Sequence, residues 1–182
     1  MVDAVRVPVI AAGGIADARG IAAAFALGAS AAQIGTAYLL CPEAQICPIY
    51  RQALKEAKDN ETARTNVFTG RAARGIINRL VREIGPMSDI APDFPLAAAA
   101  LAPLRAESEM AGSADFTPLW SSQAARLSRE LPAAELTQQL TAEALQKLRS
   151  LQAMASGDVH SVLAKAAALA KVGLSVSRSP LT

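Results

Sequence analysis

The chain has 182 residues, of which 52% are hydrophobic and 19% charged, enough apolar content for one domain with its own core and too much for a disordered segment. The net charge of +2 arises from 18 basic and 16 acidic residues with no basic block or interleaved aromatics, which argues against a nucleic-acid surface. Mean hydropathy is +0.25, yet the chain holds only one tryptophan, two tyrosines and four phenylalanines, so many small apolar groups must be covered by something.

At the amino terminus, Asp3 and a short apolar run ahead of two glycines make a poor secretory signal. Positions 6–12, RVPVIAA, form a short run rich in β-branched residues closed by Gly13-Gly14, which predicts a buried strand. Asp17 is placed to cap a helix running to Leu27, and Gly28 suits a left-handed stop. Positions 31–36, AAQIGT, continue through Leu40 as a second apolar segment bounded by Cys41-Pro42. Strand, helix and strand in so short a space predict a right-handed β-α-β unit with parallel strands over 1–45. No charged residue lies between Arg19 and Glu43, but Gly28, Ser30, Gln33, Gly35 and Thr36 interrupt the run, so no membrane span is expected.

Beyond Pro42 the pattern is mainly helical, with breaks at Pro48, Gly70, Gly85-Pro86, positions 92–95, Pro118 and Pro132. Helices are expected over 49–58, 73–84, 96–110 with a kink at Pro103, 123–131, 133–154 and 159–172, and no third strand is expected. Leu136, Leu140, Ala144, Leu148 and Leu151 fall on one helical face, predicting that it packs inward while Glu143 and Lys147 face out. The organisation expected after the first unit is a helical region over 46–156 and an unassigned helical tail over 157–182, loose and polar from Ser175. There is no internal repeat. Cys41 and Cys47 have no histidine or second cysteine pair beside them, so no metal site or disulfide framework is expected, and free thiols fit a cytoplasmic protein.

The informative constellation is strand, AAGGI, helix, then QIGT at the end of the next strand. A phosphate dianion is well held by backbone amides, which cannot be protonated away, and a Gly-Gly turn allows them to approach closely and converge. Gly13 and Gly14 can supply such amides. A helix start adds partial positive charge, and Gly35 and Thr36 can close the cradle from the neighbouring strand. Both turns fall at carboxyl ends of adjacent parallel strands, where (β/α) barrels place a phosphate.

These residues carry a resemblance. The stretch VPVIAAGGIADARGIAAAFALGASAAQIGTAYLLCPEA closely resembles the FMN-phosphate region of the nitronate monooxygenases, formerly called 2-nitropropane dioxygenases, and the likeness continues through FTGRAARGIINRL and LWSSQAARL to about Ala144. The resemblance implies an α/β fold: the carboxy-terminal part, with the last two strands, of an FMN-binding (β/α)8 TIM barrel, followed by a mostly helical region. It also implies FMN as cofactor, small-molecule nitronates as substrates and O2-dependent oxidation to a carbonyl compound and nitrite. By the same resemblance Gly14, Gln33, Ile34, Gly35 and Thr36 match FMN-contacting positions, with Gly13 beside them in the turn. A later Gly-Gln pair of the family corresponds to Ser122-Gln123, where loss of the glycine leaves both outside the expected site.

In the family a histidine upstream of AAGGI removes the substrate proton in some members. Met1 stands a few residues before the strand that corresponds to the seventh, so this histidine and six strands are expected to lie outside the chain, and no catalytic residue is expected within it. His160, the only histidine, has no motif around it. Arg71 and Arg74, in GRAARG, could face an anionic substrate or the flavin phosphate, but arginines at the start of an amphipathic helix are expected to be solvated; Trp120 and Tyr38 could stack on a flavin, but are expected as packing residues. The exposed strand edges imply a partner, either an upstream half-barrel chain or a second copy. The alternatives are a related FMN-dependent enoyl-acyl-carrier-protein reductase and a non-catalytic, partner-binding helical remnant.

Overall fold

The computed structural model describes residues 1–156. Strands β1 (Ile10–Ala12) and β2 (Ala31–Gln33) pair in parallel, with Ile10 opposite Ala31 and Ala12 opposite Gln33. Helix α1 (Ala18–Ala26) makes the crossover. Its start is fixed by Asp17, whose carboxylate accepts the Gly20 amide at 3.0 Å, and Gly28 follows it at φ +89°.

Two expectations for this unit are corrected. The first strand spans three residues rather than 6–12 and is exposed rather than buried, with Ile10 at 60% and Val7 at 68% exposure; among the described residues its sheet has only two strands, so β1 has a free edge. The second segment leaves the sheet after Gln33. Gly35 begins a 3-10 helix over Thr36–Leu40, in which the Tyr38 amide donates to the Gly35 carbonyl at 3.0 Å.

Helix α2 (Pro48–Glu56) starts with proline at its first position, where the missing amide proton costs nothing. Arg51 on α2 donates to the carbonyls of Leu40, Cys41 and Ala44 at 2.8, 3.2 and 3.0 Å, satisfying backbone groups at the end of the 3-10 helix. Leu54 buries against Leu40, Ile76 and Leu119.

The region from 62 departs from the helical expectation. Strands β3 (Thr62–Thr65) and β4 (Ala73–Ile76) form an antiparallel pair, so the helix expected over 73–84 is a strand followed by the short α3 (Arg79–Glu83). The opposite edge of β4 is taken by a bridge from Gly75 to Trp120. Asn78 caps α3 and donates to the carbonyls of Ala114 and Thr117, a tertiary reason for the helix to begin there. Helix α4 (Leu96–Met110) has the expected limits and contains Pro103, but buries only Ala97. The helix expected over 123–131 is reduced to a 3-10 turn at Ala125–Leu127, beyond which Arg129 reaches across to Gln139 and Glu143.

Helix α5 (Ala133–Ser156) lies against α1. Leu136, Leu140 and Ala144 are buried as the apolar stripe predicts, but the stripe surfaces at Leu151, which is 45% exposed. Glu143 keeps its side chain 41% exposed, on the outer side as expected, but it is not free: it takes both Arg129 nitrogens at 2.7 and 2.6 Å. The helix expected over 159–172, the loose tail and His160 lie outside the described residues. Among the described residues no helix is long and apolar enough to cross a membrane.

Candidate functional site

Five segments converge on one open cleft of about 740 Å³, within the range of about 300–1,000 Å³ usual for small-molecule sites. The Gly13-Gly14 turn after β1 forms one wall and Gly35-Thr36 after β2 the next. The stretch from Trp120 to Gln123 faces them, and Arg74 of β4 with Tyr50 of α2 completes the enclosure.

Hydrogen bonds set this geometry. The Ser122 amide donates to Thr36 Oγ1 at 3.0 Å, fastening the later loop to the end of β2. One residue earlier, the Ser121 amide donates to the Arg74 carbonyl at 3.1 Å, extending the strand-like pairing of β4 with the Trp120 segment. The Tyr50 hydroxyl donates to the Trp120 carbonyl. Burial pushes the Tyr50 pKa up to about 12, so it stays a neutral donor.

At one end is a smaller recess of about 230 Å³ lined by Gly13, Gly14, Gln33, Gly35, Thr36 and Ser122. Gly13 and Gly14 have φ of +94° and +71°, a region side-chain-bearing residues avoid, and nothing stands within 4 Å of where a Cβ would project from either. A Cβ there would enter free space beside the turn, which is the space an incoming anion needs. This is the arrangement expected of an amide cradle, and it fits a phosphate. The helix start contributes less than its position suggests, because Asp17 already holds the Gly20 amide and lies within 2.6 Å of Arg19 Nε. Burial works to raise the Asp17 pKa, but the bonds from Gly20 and Arg19 outweigh it and hold the carboxyl below its ordinary value.

Of the sequence-predicted residues, Gly13, Gly14, Gln33, Gly35 and Thr36 come together around this recess. Ile34 does not: its side chain packs on the other face, against Ala16, Ala37, Leu136 and Leu140. Ser122 and Gln123, left out on sequence grounds, line the cleft. Trp120 packs edge-on against Phe68 with centroids 5.5 Å apart, as a packing residue would, and also forms cleft wall. Tyr38 faces α5, bonded to Thr137 Oγ1 at 2.8 Å. Arg71 is exposed over the Phe94 ring, at 4.1 Å from its centroid, whereas Arg74 belongs to a strand and lines the cleft instead of a solvated helix face. The signal for Arg74 lay in GRAARG, but its placement required the unread pairing of β4 with the Trp120 segment.

Comparison with known proteins gives a consistent result. Residues 1–143 match the family described as nitronate monooxygenase. The chain is 47% identical over 137 residues to nitronate monooxygenase of Pseudomonas aeruginosa, covering 75% of this chain and 39% of that protein. It is 43% identical over 152 residues to nitronate monooxygenase of Paraburkholderia phytofirmans, covering 83% of this chain and 42% of the relative. The chain thus spans about two fifths of the length of these curated relatives. Among solved structures it is similar to nitroalkane oxidase from Streptomyces ansochromogenes, with 41% identity and a TM-score of 0.73 over 82% of this chain and 42% of that one. It is also similar to FabK from Thermotoga maritima, with 30% identity and a TM-score of 0.67 over 84% of this chain and 49% of that one.

Proposed function

Because this chain belongs to the nitronate monooxygenase family, we propose that it forms the phosphate-binding end of an FMN site in an oxidoreductase acting on alkyl nitronates. In this reading β1, α1 and β2 are the last β-α-β unit of an FMN-binding (β/α)8 barrel. The observation that carries it is the recess itself: two glycines at positive φ, with open space where their side chains would be, face Gly35 and Thr36 across a gap at the carboxyl ends of two parallel strands.

FMN, when bound, supplies the electron-transfer chemistry that oxidises a nitronate with O2. The residues of this chain bind and orient it. Gly13, Gly14, Gly35 and Thr36 present amides to the phosphate, while Thr36 Oγ1, by accepting the Ser122 amide, draws the later loop over the recess. Trp120, Leu39 and Tyr50 give the wider cleft an apolar wall that excludes water from one side of whatever extends beyond the phosphate. No catalytic residue is assigned to this chain, since its one histidine, His160, lies beyond the matched stretch. Greater likeness to the nitroalkane oxidase than to FabK supports the nitronate reading. The free thiols of Cys41 and Cys47 support a cytoplasmic location.

The activity is tested by complementation. This chain is co-expressed with the part of the Pseudomonas aeruginosa relative that it does not match, and nitrite release from ethyl nitronate is followed. FMN-dependent nitrite release from the pair, abolished by Gly14→Val in this chain, is the expected result. A stable pair that binds FMN and releases no nitrite contradicts the assigned activity.

A further inference from the structure

Among the described residues, Arg74 is the only charged side chain lining the cleft, and no carboxylate lines it. Its Nη1 donates to the Thr62 carbonyl at 3.2 Å and to Thr62 Oγ1 at 3.1 Å, which fixes the guanidinium across the β3–β4 pair. Among the described residues no other partner is recorded for its remaining nitrogens, and it forms no salt bridge. A half-buried cation held in place, with donors unused and an apolar wall beside it, is a costly arrangement unless an anion completes it. The phosphate recess does not do so, because Arg74 borders only the wider part of the cleft.

We propose that Arg74 binds a second, small planar oxyanion in the body of the cleft, the nitronate group of the substrate, separately from the flavin phosphate. The inference rests on the function proposed above for the identity of that anion, but its geometry stands independently. A nitronate carries its charge on two oxygens of one planar nitrogen, a shape suited to the planar donor fork of a guanidinium. Trp120 and Tyr50 lower the local polarity, which strengthens the attraction. Arg74 is also placed close to the phosphate cradle: its carbonyl holds Ser121, and the next residue, Ser122, is bonded to Thr36. An anion on Arg74 therefore sits in the same cleft as the body of a flavin whose phosphate occupies the recess.

Trp120 is the only tryptophan of the chain and borders the cleft, so its fluorescence reports occupancy without any flavin. The full chain, R74Q and R74K are titrated with ethyl nitronate, and in parallel with FMN and with riboflavin, which lacks the phosphate. Thermal melts are recorded for each variant, and R74K keeps the cation if R74Q proves unstable. The expected result is a saturable Trp120 response in the native chain, weakened about tenfold or more in R74Q and less in R74K, with the preference for FMN over riboflavin unchanged. No response to ethyl nitronate in the native chain, or an equal response in R74Q, overturns the proposal. Loss of the FMN preference in R74Q also overturns it, placing Arg74 with the phosphate. If FMN fails to bind but ethyl nitronate titrates in an Arg74-dependent way, Arg74 keeps its role and the flavin site is what falls.

Discussion

At Gly14 the backbone sits at φ +71° beside open space, so a side chain there meets no clash and its effects separate cleanly. Gly14→Ala is expected to cost about 1–2 kcal/mol through the left-handed backbone alone, seen as a lowered Tm, and to weaken FMN binding further by placing a methyl beside the cradle. A variant that loses stability but keeps full FMN affinity would put the phosphate elsewhere. Asp17 gives a pH dependence. Its pKa is depressed in the folded chain, so its contribution is fully present above the ordinary carboxylate value of 3.8 and is lost as pH falls through the lower folded value. In thermal melts between pH 5 and about pH 2, the Tm advantage of the native chain over Asp17→Ala should therefore shrink as pH falls below 3.8. That Gly13, Gly14, Gly35 and Thr36 gather around one recess was legible in the sequence, because it depends only on turns at the ends of neighbouring strands. Arg74, Trp120 and Ser122 were not, because only the pairing of β4 with a segment more than forty residues later brings them to the same cleft.

Among the elements, α5 was the most legible, since Leu136, Leu140 and Ala144 recur at helical spacing and do bury against the strand-helix unit. Leu136, 1% exposed, is expected to cost about 2–5 kcal/mol when replaced by alanine, measured by denaturant unfolding, whereas Leu151→Ala, at an exposed position, should change stability by about 0.5 kcal/mol or less. Equal effects would mean that α5 does not dock along the observed face. The β3–β4 pair was illegible for a physical reason. Its strands, TART and ARGI, are four residues each, carry arginines and a glycine, and lack a run of alternating apolar residues. They are strands because of their partners: a Cβ on Gly75 would lie 2.9 Å from the Leu119 carbonyl, so glycine permits the close approach that lets the Trp120 segment pair. Where pairing is dictated by a distant segment, local pattern reads as helix.

For the molecule as a whole, the exposed apolar side chains of the first strand-helix-strand unit are the governing feature. Val7, Ile10, Phe25 and Leu27 are 68%, 60%, 40% and 79% exposed around a two-stranded sheet. Such a surface with a free strand edge favours association, either with a chain that completes the sheet or with a second copy. The purified chain is expected to self-associate with rising concentration in sedimentation velocity, and Val7→Lys with Ile10→Lys to shift it toward monomer; a concentration-independent monomer would show that these side chains need no cover. The central claim, that Gly13, Gly14, Gly35 and Thr36 cradle the phosphate of FMN, is tested most directly by calorimetric titration of the chain with FMN and with riboflavin. The account predicts saturable binding of FMN at least about tenfold tighter than riboflavin, the phosphate supplying charge-assisted hydrogen bonds that riboflavin cannot make. Equal affinities for the two flavins, or no binding of either, would contradict it.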